Sequence, residues 1–159
     1  MLKGDMKFRE IFKSIKVILD LEAKDKTEAI KKIVGYLPIN SDEKKEILFS
    51  AIISREKLGS TGIGHGIAVP HARSLIPRDL CVVVARLKNP IDFESLDNKP
   101  VRLIFLVVAP PIDFKNRYLI TLGKIAEISR KIANDKRIFN IEKEEEFLRE
   151  LERLLDKSK

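Results

Sequence analysis

The chain has few cysteines, histidines and large aromatic residues. One cysteine, Cys81, excludes an internal disulfide framework, and with only two histidines the chain lacks the ligands of most zinc sites. Tryptophan is absent and there are two tyrosines, which leaves little surface for stacking on nucleic-acid bases. No apolar run approaches the roughly 20 residues that span a bilayer, and residues 1–12 lack the apolar core of a signal peptide. We therefore expect a cytoplasmic protein with no metal, no membrane insertion and no nucleic-acid partner.

The composition is that of a folded domain. The 159 residues are 44% hydrophobic and 35% charged, which fits a single domain over residues 1–159 with a substantial core. Lysine and arginine number 31 against 24 acids, a formal charge of +7. This balance suggests an anionic partner, although the lysines are mixed with acids as on an ordinary solvated surface. The basic stretch 115–137 has the same two interpretations, a partner surface or a solvated helix face.

Apolar periodicity indicates strands that alternate with helices, which predicts an α/β layered domain. Thr27 is the predicted N-cap of the first clear helix and Ser41 that of the second. Cys81 opens an apolar strand and is predicted to be a buried core thiol. Residues 15–21 are predicted to be a strand or the end of an N-terminal helix that runs into one. The other predicted elements are strands 81–87 and 101–108, helices 27–34, 42–58, 117–133 and 142–155, and turns at Asn89-Pro90 and Asp97-Asn98.

Both histidines and four of the seven glycines lie within residues 59–71. A P-loop is excluded because His65 follows Gly64 where that motif needs lysine. A dinucleotide fingerprint is excluded because Ile67 stands where it needs glycine or alanine. Metal binding is disfavoured because the loop has no cysteine or carboxylate beside its histidines.

What remains is a nucleophilic histidine in a loop rich in donors. An imidazole nitrogen can accept a phosphoryl group, and that transfer needs cations and oriented N–H groups around the phosphoryl oxygens. Arg55 offers a planar fork that matches phosphate, and Pro70 restrains the backbone ahead of His71. The same residues have an alternative interpretation. His71 would then be an ordinary surface histidine, Arg55 a cation at a helix end, and the glycines would merely form turns. The candidate phosphate-binding loop consists of Ser60, Thr61, Gly62, Gly64 and Gly66.

The segment resembles the signature of phosphotransferase-system (PTS) enzyme IIA domains of the fructose, mannitol and nitrogen-regulatory type. The matching residues are Arg55-Glu56, Gly59-Ser60-Thr61-Gly62-Ile63-Gly64 and Gly66-Ile67-Ala68-Val69-Pro70-His71. Similarity extends to Leu19-Asp20-Leu21, to Pro90-Ile91-Asp92-Phe93 and to Leu96-Asp97-Asn98-Lys99-Pro100-Val101, and covers roughly residues 12–156.

The resemblance implies a phosphocarrier on a mixed sheet of about five strands flanked by helices. His71 would be the phosphoryl acceptor and Arg55 would steady the phosphoryl group, with no cofactor. The donor would be HPr or an HPr-like phosphocarrier, and the next acceptor a sugar-permease IIB domain. An alternative within the family is a regulatory module that docks a transporter, kinase or transcription factor according to its phosphorylation state.

The chain departs from the family at one position of the predicted site. Family members often have a second histidine at the start of the helix after the second core strand, and here the alignment places Tyr118 there. Tyr118 can hydrogen-bond to His71 or to phosphate but lacks the charge of an imidazolium. The neighbouring Arg117 is a candidate to compensate. Tyr118, Arg117 and His65 are therefore candidates for a second position in the site, and His65 is interpreted as a neighbour rather than a nucleophile.

Overall fold

Six strands form one mixed sheet at the centre of the protein. The computed structural model describes Glu10, residues 14–113 and residues 115–156. The strands are β1 (Lys16–Leu21), β2 (Gly62–Gly64), β3 (Ile67–Ala68), β4 (His71–Arg73), β5 (Cys81–Ile91) and β6 (Val101–Ala109). The sheet order is β1-β5-β6-β3-β2, and β4 follows β3 along the same edge of β6. The predicted α/β class is confirmed, and with the short strands of the glycine-rich segment the described residues form six strands rather than about five.

The antiparallel pair β5 and β6 forms the buried centre of the sheet. Because successive strand side chains point to opposite faces, β6 contributes to two separate cores. Leu103, Phe105 and Val107 lie on one face and Ile104 and Leu106 on the other. Burial on both faces explains why the two strands are almost continuously apolar in sequence.

Two helical layers cover these two faces. Helices α1 (Lys26–Val34) and α2 (Asp42–Lys57) pack on the face of Ile104, and α3 (Arg117–Asn134), a 3-10 turn (Lys136–Phe139) and α4 (Glu144–Asp156) cover the face of Phe105. The predicted apolar stripe of α1, from Ala29 to Val34, is buried. Among the described residues, no helix has both the length and the apolar character that crossing a membrane requires.

The helix starts differ from prediction at one cap. Ser41 caps α2 as predicted, accepting from the Lys44 amide at 3.2 Å. The cap of α1 is Asp25 and not Thr27, because the Asp25 carboxylate accepts from the Glu28 amide at 2.8 Å. Two strong caps lie two residues apart here, and a carboxylate also suits the positive end of the helix dipole.

Two other local predictions need correction. The predicted turn at Asn89-Pro90 is wrong, because β5 continues to Ile91 and the pairing with β6 shifts register before that residue. A register irregularity accommodates proline, which has no N–H for the ladder. The turn at Asp97-Asn98 is confirmed by the bond from the Asn98 amide to Ser95 O at 3.0 Å. Cys81 is half-buried rather than buried.

Candidate functional site

His71 opens the short strand β4, opposite Val107 of β6. Its ring is half-buried, and Nδ1 lies 2.6 Å from the carbonyl oxygen of Val69. A carbonyl oxygen only accepts hydrogen bonds, so Nδ1 carries the proton. In the neutral ring the other nitrogen, Nε2, then has the lone pair, which is the tautomer that a nucleophile needs.

The backbone before His71 is held from both sides. The Val69 amide donates to Thr61 O at 2.9 Å, and the Val107 amide donates to Pro70 O at 3.0 Å. Pro70 has no N–H and a restricted φ, which adds to this rigidity. The carbonyl that orients the ring thus belongs to a fixed segment rather than to a mobile loop.

Arg55 lies in the last turn of α2 and is half-exposed. Its Nη1 donates to the carbonyl of Gly59 at 3.0 Å. Within the described part of the chain, no carboxylate lies within ion-pair distance of this guanidinium. Its charge is not neutralised by a neighbouring acid and can act on an incoming anion.

Glu56, the next residue, points the other way, into a buried network. Its carboxylate accepts from the Thr61 amide at 2.8 Å and from the Thr61 hydroxyl at 2.6 Å, and it pairs with Lys26 at 3.3 Å. The Ser60 hydroxyl donates to Phe93 O at 2.7 Å and accepts from the Gly62 amide at 3.0 Å. The structure thus gives both hydroxyls a partner other than phosphate, and they hold the loop.

The glycines of the predicted phosphate loop do not gather around His71. Ile67 of β3 pairs with Leu103 and His71 with Val107, so the start of β3 lies about 13 Å along β6 from His71 at a rise of roughly 3.3 Å per residue. Gly64 and Gly66, with φ of 99° and 79°, form the β2–β3 turn at that distant end. Gly62 packs directly on Ser95. Their predicted role around the phosphoryl group is therefore corrected to a structural one.

His65 lies in the same turn, exposed and with a φ of 58°. Its amide donates to Asp97 Oδ2 at 3.2 Å. This position is away from His71, so the second-site role considered for His65 is wrong. Its sequence proximity to His71 is misleading because β3 runs between them.

Tyr118, in the first turn of α3, is the second aromatic residue of the site. Its buried ring meets the His71 ring edge-on, with centroids 6.0 Å apart and planes at 60°. Its amide donates to Asp113 Oδ2 at 2.7 Å, which fixes the start of the helix. Burial raises the pKa of the Tyr118 phenol, and the positive charges of Arg73 and Arg55 oppose that rise.

Arg117 does not join this group in the structure. Its Nη1 pairs with Asp79 Oδ1 at 2.8 Å. In this conformation the carboxylate of Asp79 is the partner of Arg117, and the compensating role considered for Arg117 stays a prediction.

Arg73 is a site residue that the motifs did not single out. Its guanidinium lies over the Tyr118 ring, with Cζ 4.7 Å from the centroid, and Nη1 donates to Pro111 O at 3.2 Å. The sequence carried a signal for it, since residues two apart on a strand share a face. His71 and Arg73 on β4 satisfy that spacing.

Exposed apolar side chains adjoin the site residues. Leu58 and Leu75 are 85% and 90% exposed, and Ile112 and Leu119 are also exposed. Leu58 ends the helix of Arg55, Leu75 follows Arg73 by two residues, Ile112 follows Pro111, and Leu119 follows Tyr118. Each of these side chains thus lies within three residues of a site residue or of its hydrogen-bond partner along the chain, and large apolar side chains exposed beside a site are typical of surfaces that meet another protein.

Comparison with known proteins yields consistent matches. The family model described as "Phosphoenolpyruvate-dependent sugar phosphotransferase system, EIIA 2" matches residues 10–154. A nitrogen regulatory protein of Bradyrhizobium diazoefficiens is 36% identical over 110 residues, which are 69% of this chain and 71% of that protein. The fructose-specific EIIABC component of Bacillus subtilis is 30% identical over 141 residues, 88% of this chain but 22% of that longer protein.

A solved structure shows the same fold. The crystal structure of the nitrogen regulatory protein IIA-Ntr from Neisseria meningitidis superposes with a TM-score of 0.73 at 25% identity, covering 92% of this chain and 99% of that one. The similarity thus extends over nearly the whole of both chains.

Proposed function

The chain belongs to the EIIA type 2 family of the phosphoenolpyruvate-dependent sugar phosphotransferase system, and from this premise we propose that it is a phosphocarrier that accepts a phosphoryl group on Nε2 of His71. One observation carries the proposal. The hydrogen bond from His71 Nδ1 to Val69 O, at 2.6 Å, holds the ring in the tautomer whose Nε2 has a free lone pair.

The transfer needs no proton movement at His71. The Nε2 lone pair attacks phosphorus in line with the N–P bond of a donor phosphohistidine, and the electrons of that bond return to the donor imidazole. Nδ1 keeps its proton throughout, and its bond to the Val69 carbonyl favours the positive charge that develops on the ring. Arg55, without a carboxylate partner among the described residues, stabilises the phosphoryl oxygens.

The donor that fits this site is a protein. Leu58 and Leu75 are exposed within three residues of Arg55 and Arg73 along the chain, and the acceptor residue His71 is half-buried rather than enclosed. An HPr-like phosphocarrier would bury these side chains while it presents its phosphohistidine. No cofactor or metal is required in this scheme, since the cationic side chains supply the stabilising charge.

The next step of the pathway has two candidates. In the first, the phosphoryl group passes to a sugar-permease IIB domain, which the similarity to a fructose-specific EIIABC component favours. In the second, phosphorylation is a regulatory mark that controls docking to a transporter, kinase or transcription factor. The 36% identity to a nitrogen regulatory protein favours this second candidate. Acceptance on His71 is common to both.

The test is intact-mass measurement after incubation with phosphoenolpyruvate, enzyme I and HPr. We expect the wild type to gain the mass of one phosphoryl group, which acid removes, and His71→Ala to gain none. His65→Ala is the matched control, because it removes the other histidine of the chain at a distance from the site. An unmodified wild type, or a gain that survives in His71→Ala, would refute the proposal. Addition of a IIB domain then separates the candidates by whether the mass is lost.

A further inference from the structure

Two arginines of the site have only neutral partners. The guanidinium groups of Arg55 and Arg73 each donate to one backbone carbonyl, of Gly59 and Pro111, and neither has a carboxylate within ion-pair distance among the described residues. Arg117, by contrast, pairs with Asp79. A carbonyl leaves the charge of a guanidinium intact, so Arg55 and Arg73 are free to bind an anion.

Arg73 is placed on the same side of the site as the acceptor ring. It is two residues from His71 on β4, so the two side chains share a face with Cα atoms about 7 Å apart. Tyr118 connects them, since its ring meets His71 edge-on at 6.0 Å and carries the Arg73 guanidinium at 4.7 Å. An extended Arg73 side chain is long enough to reach the His71 ring. A phosphoryl group on Nε2 projects beyond the ring and shortens the distance that the Arg73 guanidinium has to cover.

We propose that Arg73 is a second phosphoryl-binding residue of the site and that Tyr118 is the platform that holds it there. The inference rests on the proposed function of His71. In the free protein Arg73 is stacked on Tyr118 and bonded to Pro111 O, and on phosphorylation its guanidinium turns toward the phosphoryl oxygens. Arg55 on α2 and Arg73 on β4 then contact the dianion from two elements.

The electrostatics around Tyr118 agree with this arrangement. The charges of both Arg73 and Arg55 act to lower the pKa of the same phenol, against the burial that raises it. Both guanidinium groups therefore lie within electrostatic reach of one point beside His71. Stacking on an aromatic face also restricts the Arg73 side chain, which reduces the entropy lost when it binds phosphate.

The test compares Arg73→Ala and Arg73→Lys with Arg78→Ala. Arg78 is exposed, lies five residues further along, and loses the same charge when replaced. Single-turnover phosphorylation by phospho-HPr is measured at several HPr concentrations, and the phosphorus NMR signal of phospho-His71 is titrated with pH. Urea unfolding of each variant checks that the fold is kept.

For Arg73→Ala we expect the maximal transfer rate to fall about tenfold or more, the scale of a lost charge-assisted contact in a transition state. Its phosphorus signal should titrate at a higher pH, because a neighbouring cation favours the dianion. Arg73→Lys should restore part of both effects. Tyr118→Leu should act in the same direction, and adding it to Arg73→Ala should cause little further loss.

The outcomes separate this inference from the function on which it rests. If the wild type is phosphorylated and Arg73→Ala matches Arg78→Ala in rate and in titration, the second-cation role is wrong while His71 stands. A change confined to the HPr concentration dependence would make Arg73 a docking residue and would also overturn the inference. An unphosphorylated wild type would overturn both.

Discussion

Thr61→Val tests whether this threonine serves the fold or the phosphoryl group. The hydroxyl donates to Glu56 Oε2 at 2.6 Å, and both residues are buried, with 4% and 6% exposure. Valine keeps the shape of the side chain but leaves one carboxylate oxygen without this donor. If Thr61 serves the fold, the cost should appear in stability rather than in transfer.

The magnitude follows from the contacts of Glu56. Hydrogen bonds to charged groups contribute about 1.5–3 kcal/mol. The carboxylate keeps the Thr61 amide and Lys26 as partners after the substitution, so we expect the free energy of unfolding to fall by about 2 kcal/mol. At roughly 2–4 °C per kcal/mol for a domain of this size, Tm should fall by about 4–8 °C.

The assay is urea unfolding with an unchanged m-value, followed by phosphorylation of the folded variant. Thr27→Val is the control, since Thr27 is exposed in the first turn of α1. The backbone bond from Val69 to Thr61 O survives the substitution, so transfer by folded protein should change by less than about threefold, or about 0.7 kcal/mol of activation free energy. If Thr61→Val is as stable as the control but its phosphoryl transfer is slowed more than about tenfold, the reasoning is wrong and Thr61 acts on the phosphoryl group.

Three further outcomes are expected. Gly62→Ala should have its unfolding midpoint at a lower urea concentration than wild type, because the added methyl group would overlap Ser95, which packs on this glycine. Burial raises the pKa of the Cys81 thiol, so iodoacetamide at neutral pH should label folded protein more slowly than protein in urea, and equal rates would contradict this. Hydrogen bonds from Arg137, and to a smaller extent from Arg153, hold the pKa of Asp135 below its usual range. Wild type should therefore be more stable than Asp135→Asn above the usual pKa of about 4, and this difference should be lost progressively as the pH falls below that value. Unfolding curves at pH 7 and at low pH measure that difference, and a pH-independent difference would be evidence against the ion pairs.

Much of the fold was predictable because it is encoded in local periodicity. The runs 81–87 and 101–108 are apolar because both faces of β5 and β6 are covered, and the spacing of the α1 stripe matches a helix with one buried side. The errors were equally local. Asn89-Pro90 has the composition of a turn, but pairing with β6 extends the strand through it.

The sequence by itself determined the family, the central strands and His71 as the candidate acceptor, since a long motif and a strict apolar pattern survive without knowledge of the fold. Only the tertiary structure decided which residues surround that histidine. Strand β3 separates Gly64 and His65 from that histidine, the buried Glu56 accepts from the Thr61 hydroxyl, and α3 places the Tyr118 ring against the Arg73 guanidinium. These contacts join segments that are separate in sequence. They depend on the register of the strands and on which partner each buried charged group finds, and neither composition nor residue spacing specifies these.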